Sequence, residues 1–192
     1  MRKSILLSVV VLLSFSVQAQ VEWKADQAHS SIQFEVSHLT ISSVTGMFNE
    51  FSCVINANKD SFEGAQVSVE VKVPSLSTEN LTRDKHLKED DFFNANKFPS
   101  MTFKSQSFKL VEKGVYEVTG ELTIRDVTRV IKFNADYKGS LDTGTKTISA
   151  FKAEFTINRF EYQLSWDDTL DTGSLVVGED VRIILNMEFV KS

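Results

Sequence analysis

The chain has 192 residues, of which 42% are hydrophobic and 24% charged, and its formal net charge at pH 7 is −5. This acidic balance is a poor fit for a protein that binds nucleic acid or anionic membranes through a basic surface. The single cysteine excludes an internal disulfide, so stability must come from a hydrophobic core.

Residues 1–19 have the features of a secretory signal peptide. Two basic residues precede an apolar run from Ile5 to Phe15, and Val17 and Ala19 are the small residues expected before a cleavage point. The run is too short for a stable membrane span. We therefore expect a periplasmic or secreted protein whose single domain comprises residues 20–192, with a net charge of −7 once the two basic residues are removed.

Most of the remaining chain alternates apolar and polar residues with a period of two, which is typical of strands that bury one face. Ala65 to Val73 is the clearest case, with four valines on one face. Met47 to Ile55 changes phase after Phe48, which we interpret as a bulge within one strand. Gly120 interrupts an apolar series and predicts a bend or a close approach by another group. Further strands are expected at 21–23, 31–37, 100–110, 116–124, 131–137, 151–157 and 181–189, with a polar loop at 161–178.

One short helix is expected between the strands. Ser77, Thr78 and Asn80 offer oxygen atoms for an N-cap, and residues 81–88 tolerate a helix. Pro99 then favours extended backbone at the residue before it. A short, polar, capped helix in this position indicates a lid or plug on a β-structure.

The strands predict a closed structure. Each has only one apolar face, and no second set of helices is available to cover a flat sheet, so closure buries that face and removes the sheet edges. We therefore predict an all-β, extended antiparallel barrel of eight strands, with one short helix inserted after the third strand. A barrel of this size is either filled by side chains or holds one small ligand.

Phenylalanine is over-represented, with 15 residues. These rings either form an ordinary core or line a tunnel suited to a flexible hydrocarbon chain. Because burying each CH₂ is worth about 0.8 kcal/mol, a tunnel could bind a long chain tightly without polar contacts. By their apolar phase, the candidate tunnel residues are Phe34, Val36, Phe48, Phe103, Leu122, Phe133, Phe155, Leu185 and Met187.

Four polar residues are candidates for the mouth of such a tunnel: His38, Asp84, His86 and Arg159. Asp84 and His86 are equally consistent with ordinary ion pairs on a helix surface. Arg159 is flanked by apolar residues, and we expect it to pair with a carboxylate at the barrel rim.

No set of residues in the sequence predicts a metal, cofactor or catalytic site. The three histidines lack the ligand spacing of a zinc site. We find no convincing nucleophile and base pair and no glycine-rich phosphate loop. Cys53 shares the apolar phase of Phe51 and Ile55, which favours a buried structural thiol over a reactive one.

Several motifs occur together in a specific order: Asp26–Phe34, Val36–His38, Gly46–Phe48, Ser77–Asn80, Arg83–Leu87, Asp91–Phe93, Phe98–Phe103, Gly120–Ile124, Val127–Thr128, Ile157–Arg159 and Val177–Val181. In this order they cover nearly all of residues 20–192, and the chain resembles the YceI-like family of exported polyisoprenoid-binding proteins. The resemblance implies an extended, lipocalin-like barrel that takes a long isoprenoid or fatty chain, in a periplasmic or secreted setting, with frequent dimers.

Two positions depart from that family pattern. Gln163 follows Tyr162 where members usually have glycine, and Asp126 stands where they often have glycine. Both are loop positions, so the departures bear on the shape of the loops and the mouth more than on the fold.

Three functional hypotheses remain. The first is a non-enzymatic carrier or sequestering protein for a long-chain isoprenoid or similar lipid. The second is an enzyme that acts on such a lipid through His38, Asp84, His86 or Arg159. The third is a filled barrel that acts as a dimeric interaction module.

Overall fold

The computed structural model describes residues 20–58 and 61–192, so the predicted signal peptide lies outside the described residues. In the described part, eleven strands form one antiparallel sheet. They are β1 (Gln20–Ala25), β2 (Ser31–His38), β3 (Ser42–Phe48), β4 (Phe51–Asn58), β5 (Ser61–Lys72), β6 (Leu76–Ser77), β7 (Ser100–Glu112), β8 (Val115–Ile124), β9 (Val127–Asp142), β10 (Thr147–Asn158) and β11 (Val177–Lys191).

Eight of these strands close into a ring, in the order β1, β4, β5, β7, β8, β9, β10 and β11. The ring is sealed where Trp23–Ala25 of β1 pair with Phe189–Lys191 of β11. The remaining strands, β2, β3 and β6, extend the sheet from the other part of β11. This architecture confirms the prediction of an eight-stranded antiparallel barrel with one short helix.

The segment Met47 to Ile55 differs from its prediction as a single bulged strand. β3 ends at Phe48, a turn follows, and β4 begins at Phe51. The two strands have different partners, because β3 pairs with β2 and β6 whereas β4 pairs with β1 and β5. The phase change therefore reflects a turn between two strands, and the helix comes after β6 in the complete strand count.

The helix itself, α1 (Leu81–Leu87), lies where the sequence predicts it. The Asn80 side chain accepts a hydrogen bond from the Arg83 backbone N–H at 3.0 Å and so caps the first turn. No helix in the described residues is both long enough and apolar enough to cross a membrane.

Gly120 on β8 is a point of close approach, as predicted. A Cβ atom at this position would lie 2.4 Å from the backbone oxygen of Lys104 and 2.5 Å from the Phe103 ring. These distances are shorter than any normal contact, so glycine lets the Phe103 ring lie against β8 on the inside of the barrel.

One end of the barrel is filled by aromatic rings. Phe151 contacts Phe62 at a ring-centroid distance of 5.0 Å and Tyr137 at 5.2 Å. Trp23, Phe108, Tyr116 and Phe189 complete the cluster. These aromatic side chains come from strands on different sides of the barrel, so together they close this end of the interior. We call the cluster the aromatic plug.

The wall opens between β9 and β10 toward the other end. These strands pair only where Ala135–Asp142 face Thr147–Ala153. Past Ala153, β10 continues along β11 and the first half of β9 stays with β8, so the two strands diverge. We call this divergence the β9–β10 cleft. A short 3-10 turn, Arg159–Tyr162, directly follows β10 at this end.

Candidate functional site

An apolar cavity of about 220 Å³ occupies the barrel interior. A single water molecule needs only about 10–15 Å³, so the space is far larger than a packing defect. All nine residues predicted for the tunnel lie on its wall: Phe34, Val36, Phe48, Phe103, Leu122, Phe133, Phe155, Leu185 and Met187. Which of them contact a ligand stays a prediction.

Strand β10 shows how long the cavity is. Phe151, Ala153, Phe155 and Ile157 line it in succession, and Arg159 follows directly after the strand. At about 3.3 Å per residue, the eight steps from Phe151 to Arg159 span about 26 Å along the strand. The cavity is therefore elongated, running from the aromatic plug to the 3-10 turn.

The β9–β10 cleft is bridged from the inside by two of the predicted residues. The rings of Phe133 and Phe155 stack at a centroid distance of 4.4 Å and an interplanar angle of 18°. Each ring lies on a part of its strand where β9 and β10 no longer pair with each other. At this point the wall is held by side-chain contact rather than by backbone hydrogen bonds.

The end of α1 and the turn after it cover the cavity. Leu87, Phe92 and Phe93 line it, which agrees with the predicted role of this segment as a lid. Phe92 stacks on Trp166 at 5.7 Å, and the backbone N–H groups of residues 165 and 166 both donate to the carbonyl of Asp91. The lid is thus joined to the loop that precedes β11.

Arg125, in the turn between β8 and β9, fastens the same lid. Its Nη1 lies 2.9 Å from the carbonyl oxygens of Asp90 and Phe92, and 2.6 Å from that of Gln163. One guanidinium therefore connects the lid, the loop before β11 and the barrel rim. The sequence analysis did not single out this residue.

The four residues proposed for a polar mouth are not brought together. Asp84 is buried and accepts hydrogen bonds from the backbone N–H and the hydroxyl of Thr78 at 2.8 and 2.6 Å, which fixes the start of the helix. His86 lies 2.9 Å from an Asp91 carboxylate oxygen and packs edge-on against Phe92. His38 lies at the end of β2. Of the four, only Arg159 is part of the cavity wall.

Arg159 is buried, with 3% of its surface exposed, and does not pair with a carboxylate as expected. It donates instead to three backbone carbonyls: Nε to Gly178 at 2.9 Å, Nη1 to Leu164 at 2.6 Å and Nη2 to Val177 at 3.0 Å. In the described part of the chain, no carboxylate oxygen lies within 4 Å of its nitrogens. Burial lowers the pKa of the guanidinium, which nevertheless stays charged at neutral pH.

Tyr162 is a cavity residue that the sequence analysis missed. It is 1% exposed, and its hydroxyl has no hydrogen-bond partner among the described residues. Burial raises its pKa to about 12, so the group is a neutral hydroxyl at neutral pH. Cys53 also lines the cavity and is buried, as predicted, and burial raises the pKa of its thiol to about 12.

A cluster outside the cavity unites residues from the two ends of the sequence. Nδ1 of His29 lies 3.1 Å from an Asp26 carboxylate oxygen and 4.0 Å from one of Glu188. Nζ of Lys146 lies 3.8 Å from Asp26 and supplies a positive charge to the group. The arrangement is that of a surface ion-pair cluster across the β1–β11 region.

Comparisons with known proteins agree with this architecture. A UPF0312 protein from Staphylococcus aureus strain N315 is 32% identical over 168 residues, which cover 85% of this chain and 94% of the relative. The YCEI protein of Campylobacter jejuni is 28% identical, covers 98% of this chain and 97% of its own, and superposes with a TM-score of 0.69. A polyisoprenoid-binding domain from Saccharophagus degradans, 16% identical with 87% and 97% coverage and a TM-score of 0.66, shares the fold. The model of the YceI-like domain matches residues 23–189, and the chain therefore belongs to the YceI-like family.

Proposed function

We propose that this protein binds one long-chain isoprenoid or fatty lipid inside the barrel and carries or sequesters it without changing it chemically. The observation that carries the proposal is the elongated cavity of about 220 Å³ with an almost wholly apolar wall. At about 0.8 kcal/mol per buried CH₂, the chain alone can supply the affinity. The predicted signal peptide supports a location in the periplasm or outside the cell.

The fold of a neighbour is consistent with this role, since the Saccharophagus degradans domain of the same architecture is described as polyisoprenoid-binding. The enzyme hypothesis finds less support. Asp84 is engaged by Thr78 and His86 by Asp91, away from the cavity wall. Arg159 reaches the cavity but, as a permanently charged guanidinium, cannot act as a general base. An open cavity also disfavours the filled interaction module.

The direct test is native mass spectrometry of the purified protein, followed by organic extraction of what it holds. We expect one long-chain species per barrel, and delipidated protein should take up an added polyprenol, quinone or fatty acid. Protein that stays empty in the presence of all three would contradict lipid binding. A ligand recovered with altered mass after long incubation would instead favour the enzyme hypothesis.

A blocking variant tests whether the lipid occupies the cavity. Ala153 lies on the wall between Phe151 and Phe155, so the indole of Ala153→Trp should fill the passage and abolish uptake. Thr156→Trp is the matched control, because Thr156 is exposed on the same strand. We expect the control to bind as the wild type does. Equal uptake by both variants, with folding checked by circular dichroism, would place the lipid elsewhere.

A further inference from the structure

The β9–β10 cleft is a gap in the backbone ladder of the barrel wall, and it lies over the cavity. The last rung between the two strands joins Ala135 to Ala153, so residues 127–134 of β9 and 154–158 of β10 have no rung in common. Side chains from both of these segments line the cavity. Here the interior is therefore separated from the outside by side chains rather than by a hydrogen-bonded sheet.

A single pair of aromatic side chains crosses this gap. Continuing the register two residues past the last rung places Phe133 opposite Phe155, and their rings stack at a centroid distance of 4.4 Å. The polar side chains of the two segments that make hydrogen bonds or ion pairs do so away from the cleft, with β8 and β11. Both phenylalanines are half-buried, so the rings border open space into which they can turn. Side-chain rotation is fast compared with the opening of a backbone ladder.

A second divergence, between β5 and β7, shows how such a gap can be sealed. The ladder of these strands also ends well before the strands do. Past the last rung, the Val67 backbone N–H donates to the Ser105 hydroxyl at 2.7 Å, and the Leu110 N–H donates to the Glu63 carboxylate. The aromatic plug also fills the interior behind this gap. The β9–β10 cleft differs in both respects, because open cavity lies behind it and aromatic rings alone bridge it.

The cleft is also closed at the end away from the last rung. Arg125, in the turn before β9, places Nη1 2.6 Å from the carbonyl oxygen of Gln163, and the 3-10 turn before Gln163 contacts β9. Between these limits, the five steps from Ala153 to Asn158 span about 17 Å at about 3.3 Å per residue. The cleft is therefore a slot that runs parallel to the long axis of the cavity.

The two ends of the cavity are more firmly closed than this slot. At one end a chain would have to displace the packed rings of the aromatic plug. At the other end it would have to break the hydrogen bonds by which Arg125 and the Asp91 carbonyl hold the lid. Through the slot, an elongated chain can move sideways along most of its length without breaking a backbone ladder.

We propose that the apolar chain of the lipid enters and leaves the cavity sideways through the β9–β10 cleft, and that the stacked pair Phe133 and Phe155 is the gate that closes it. The inference rests on the proposed function and specifies the route of its ligand. Opening requires the two rings to turn apart while the strands keep their pairing with β8 and β11. Arg125→Ala cannot distinguish this route from exit under the lid, because Arg125 holds both the lid and the end of the cleft.

Phe133→Ala tests the gate directly. Stopped-flow fluorescence measures the association of cis-parinaric acid with delipidated protein, and we expect it to be about tenfold faster in the variant, since no aromatic pair has to separate. Phe103→Ala is the matched control, because it removes the same ring from the same cavity wall. Phe103 lies within intact ladders on both sides, opposite Val69 and Leu122, so its loss should leave the association rate unchanged.

The outcomes separate the route from lipid binding itself. Association of Phe133→Ala at the wild-type rate, or equal acceleration in both variants, would overturn the gate. Wild-type protein that takes up no probe would contradict the proposed function, and the inference with it. Phe133→Leu keeps most of the apolar volume but cannot stack, so it should also associate faster and serves if the alanine variant does not fold.

A cross-link across the cleft should have the opposite effect. In the double variant Phe133→Cys/Phe155→Cys, a short bis-maleimide joins the two strands, whereas the control is the same variant with each thiol capped by N-ethylmaleimide. Cys53 should stay unmodified, because burial raises the pKa of its thiol to about 12. We expect the linked protein to take up cis-parinaric acid at least about tenfold more slowly than the capped protein. Equal rates would show that the chain passes elsewhere and would overturn the inference.

Discussion

At the scale of single residues, Gln163 carries strain that another residue would relieve. It ends the Arg159–Tyr162 turn with φ 61° and ψ 27°, a left-handed conformation that costs an L-residue about 1–2 kcal/mol. Its side chain is exposed, and its carbonyl is the group that Arg125 contacts. A glycine at this position would adopt this conformation freely.

We expect Gln163→Gly to raise the free energy of unfolding by about 0.5 kcal/mol, because relief of strain exceeds the added entropy of glycine in the unfolded chain. Urea denaturation measures the change. Gln163→Ala is the control, since alanine keeps the strain and should give no gain. A destabilised glycine variant would show that the Gln163 side chain makes a favourable contact.

Cys53 should be inert toward charged thiol reagents in the folded protein. Burial raises its pKa to about 12, whereas a free cysteine has a pKa near 8.5, so the thiolate that reacts is almost absent at pH 8. We expect Ellman's reagent to label it only after unfolding in urea. Rapid labelling of the native protein at pH 8 would mean that the cavity opens frequently to solvent.

The residue scale also shows what sequence can and cannot reveal. The departure at Gln163 was visible in the sequence, and so was the need for glycine at position 120. The unpartnered hydroxyl of Tyr162 was not, because the lack of a partner depends on neighbours that are distant along the chain. Its apolar neighbours mark Arg159 as an unusual charge, but its partners are backbone carbonyls, which no residue pattern encodes.

At the scale of elements, one side chain adds three hydrogen bonds to the contacts that hold the lid. Arg125 joins the segment after α1 to the loop before β11 through three carbonyl oxygens. Hydrogen bonds from a charged donor contribute about 1.5–3 kcal/mol each at most, and these three share one nitrogen. Loss of the Arg125 side chain should therefore make the lid more mobile while the barrel stays folded.

We expect Arg125→Ala to lower the free energy of unfolding by about 2 kcal/mol and to speed the release of a bound lipid. Stopped-flow displacement of a fluorescent fatty acid measures the release rate. Arg182→Ala is the control, because Arg182 makes only exposed ion pairs with Glu35 and Glu154, which contribute less than about 1 kcal/mol. Identical release rates for both variants would exclude the lid as the barrier to exit.

Elements with local signals were predictable, whereas those defined by long-range pairing were not. The start of the helix was predictable because Asn80 caps it by accepting a hydrogen bond from the backbone N–H of Arg83, only three residues along the chain. The division between β3 and β4 depends on their pairing with different strands, so a period-two pattern could not separate a turn from a bulge. The same limit applies to β6, whose two residues are recognisable only by their pairing with β3.

At the scale of the whole molecule, removal of the proposed lipid should lower the free energy of unfolding. A ligand present at 100 times its dissociation constant adds about 2.7 kcal/mol to the free energy of unfolding. For a domain of this size we therefore expect delipidation to lower the melting temperature by about 5–10 °C, measured by calorimetry. Ala153→Trp should show no such difference, and an unchanged wild-type melting temperature would contradict occupancy of the cavity.

The closed barrel was predictable because every strand has one apolar face and no other element could cover it. The sequence could not predict whether the interior is filled or hollow, because that depends on the summed volumes of side chains from eight strands. The nine predicted residues lie around the cavity because apolar phase identifies the inner face. It cannot tell a ring that only fills the aromatic plug, such as Phe62, from one that lines open space.

The pairing of β1 with β11, which closes the barrel, determines when during folding the enclosed cavity forms. Three residue pairs join the first described strand to the last, so almost the whole domain separates the two sides of the seal. Such distant contacts slow folding, because the entropy of a long loop must be lost before they form. The first described strand has no partner on that side until the last strand joins the sheet, and the cavity is enclosed only after that moment.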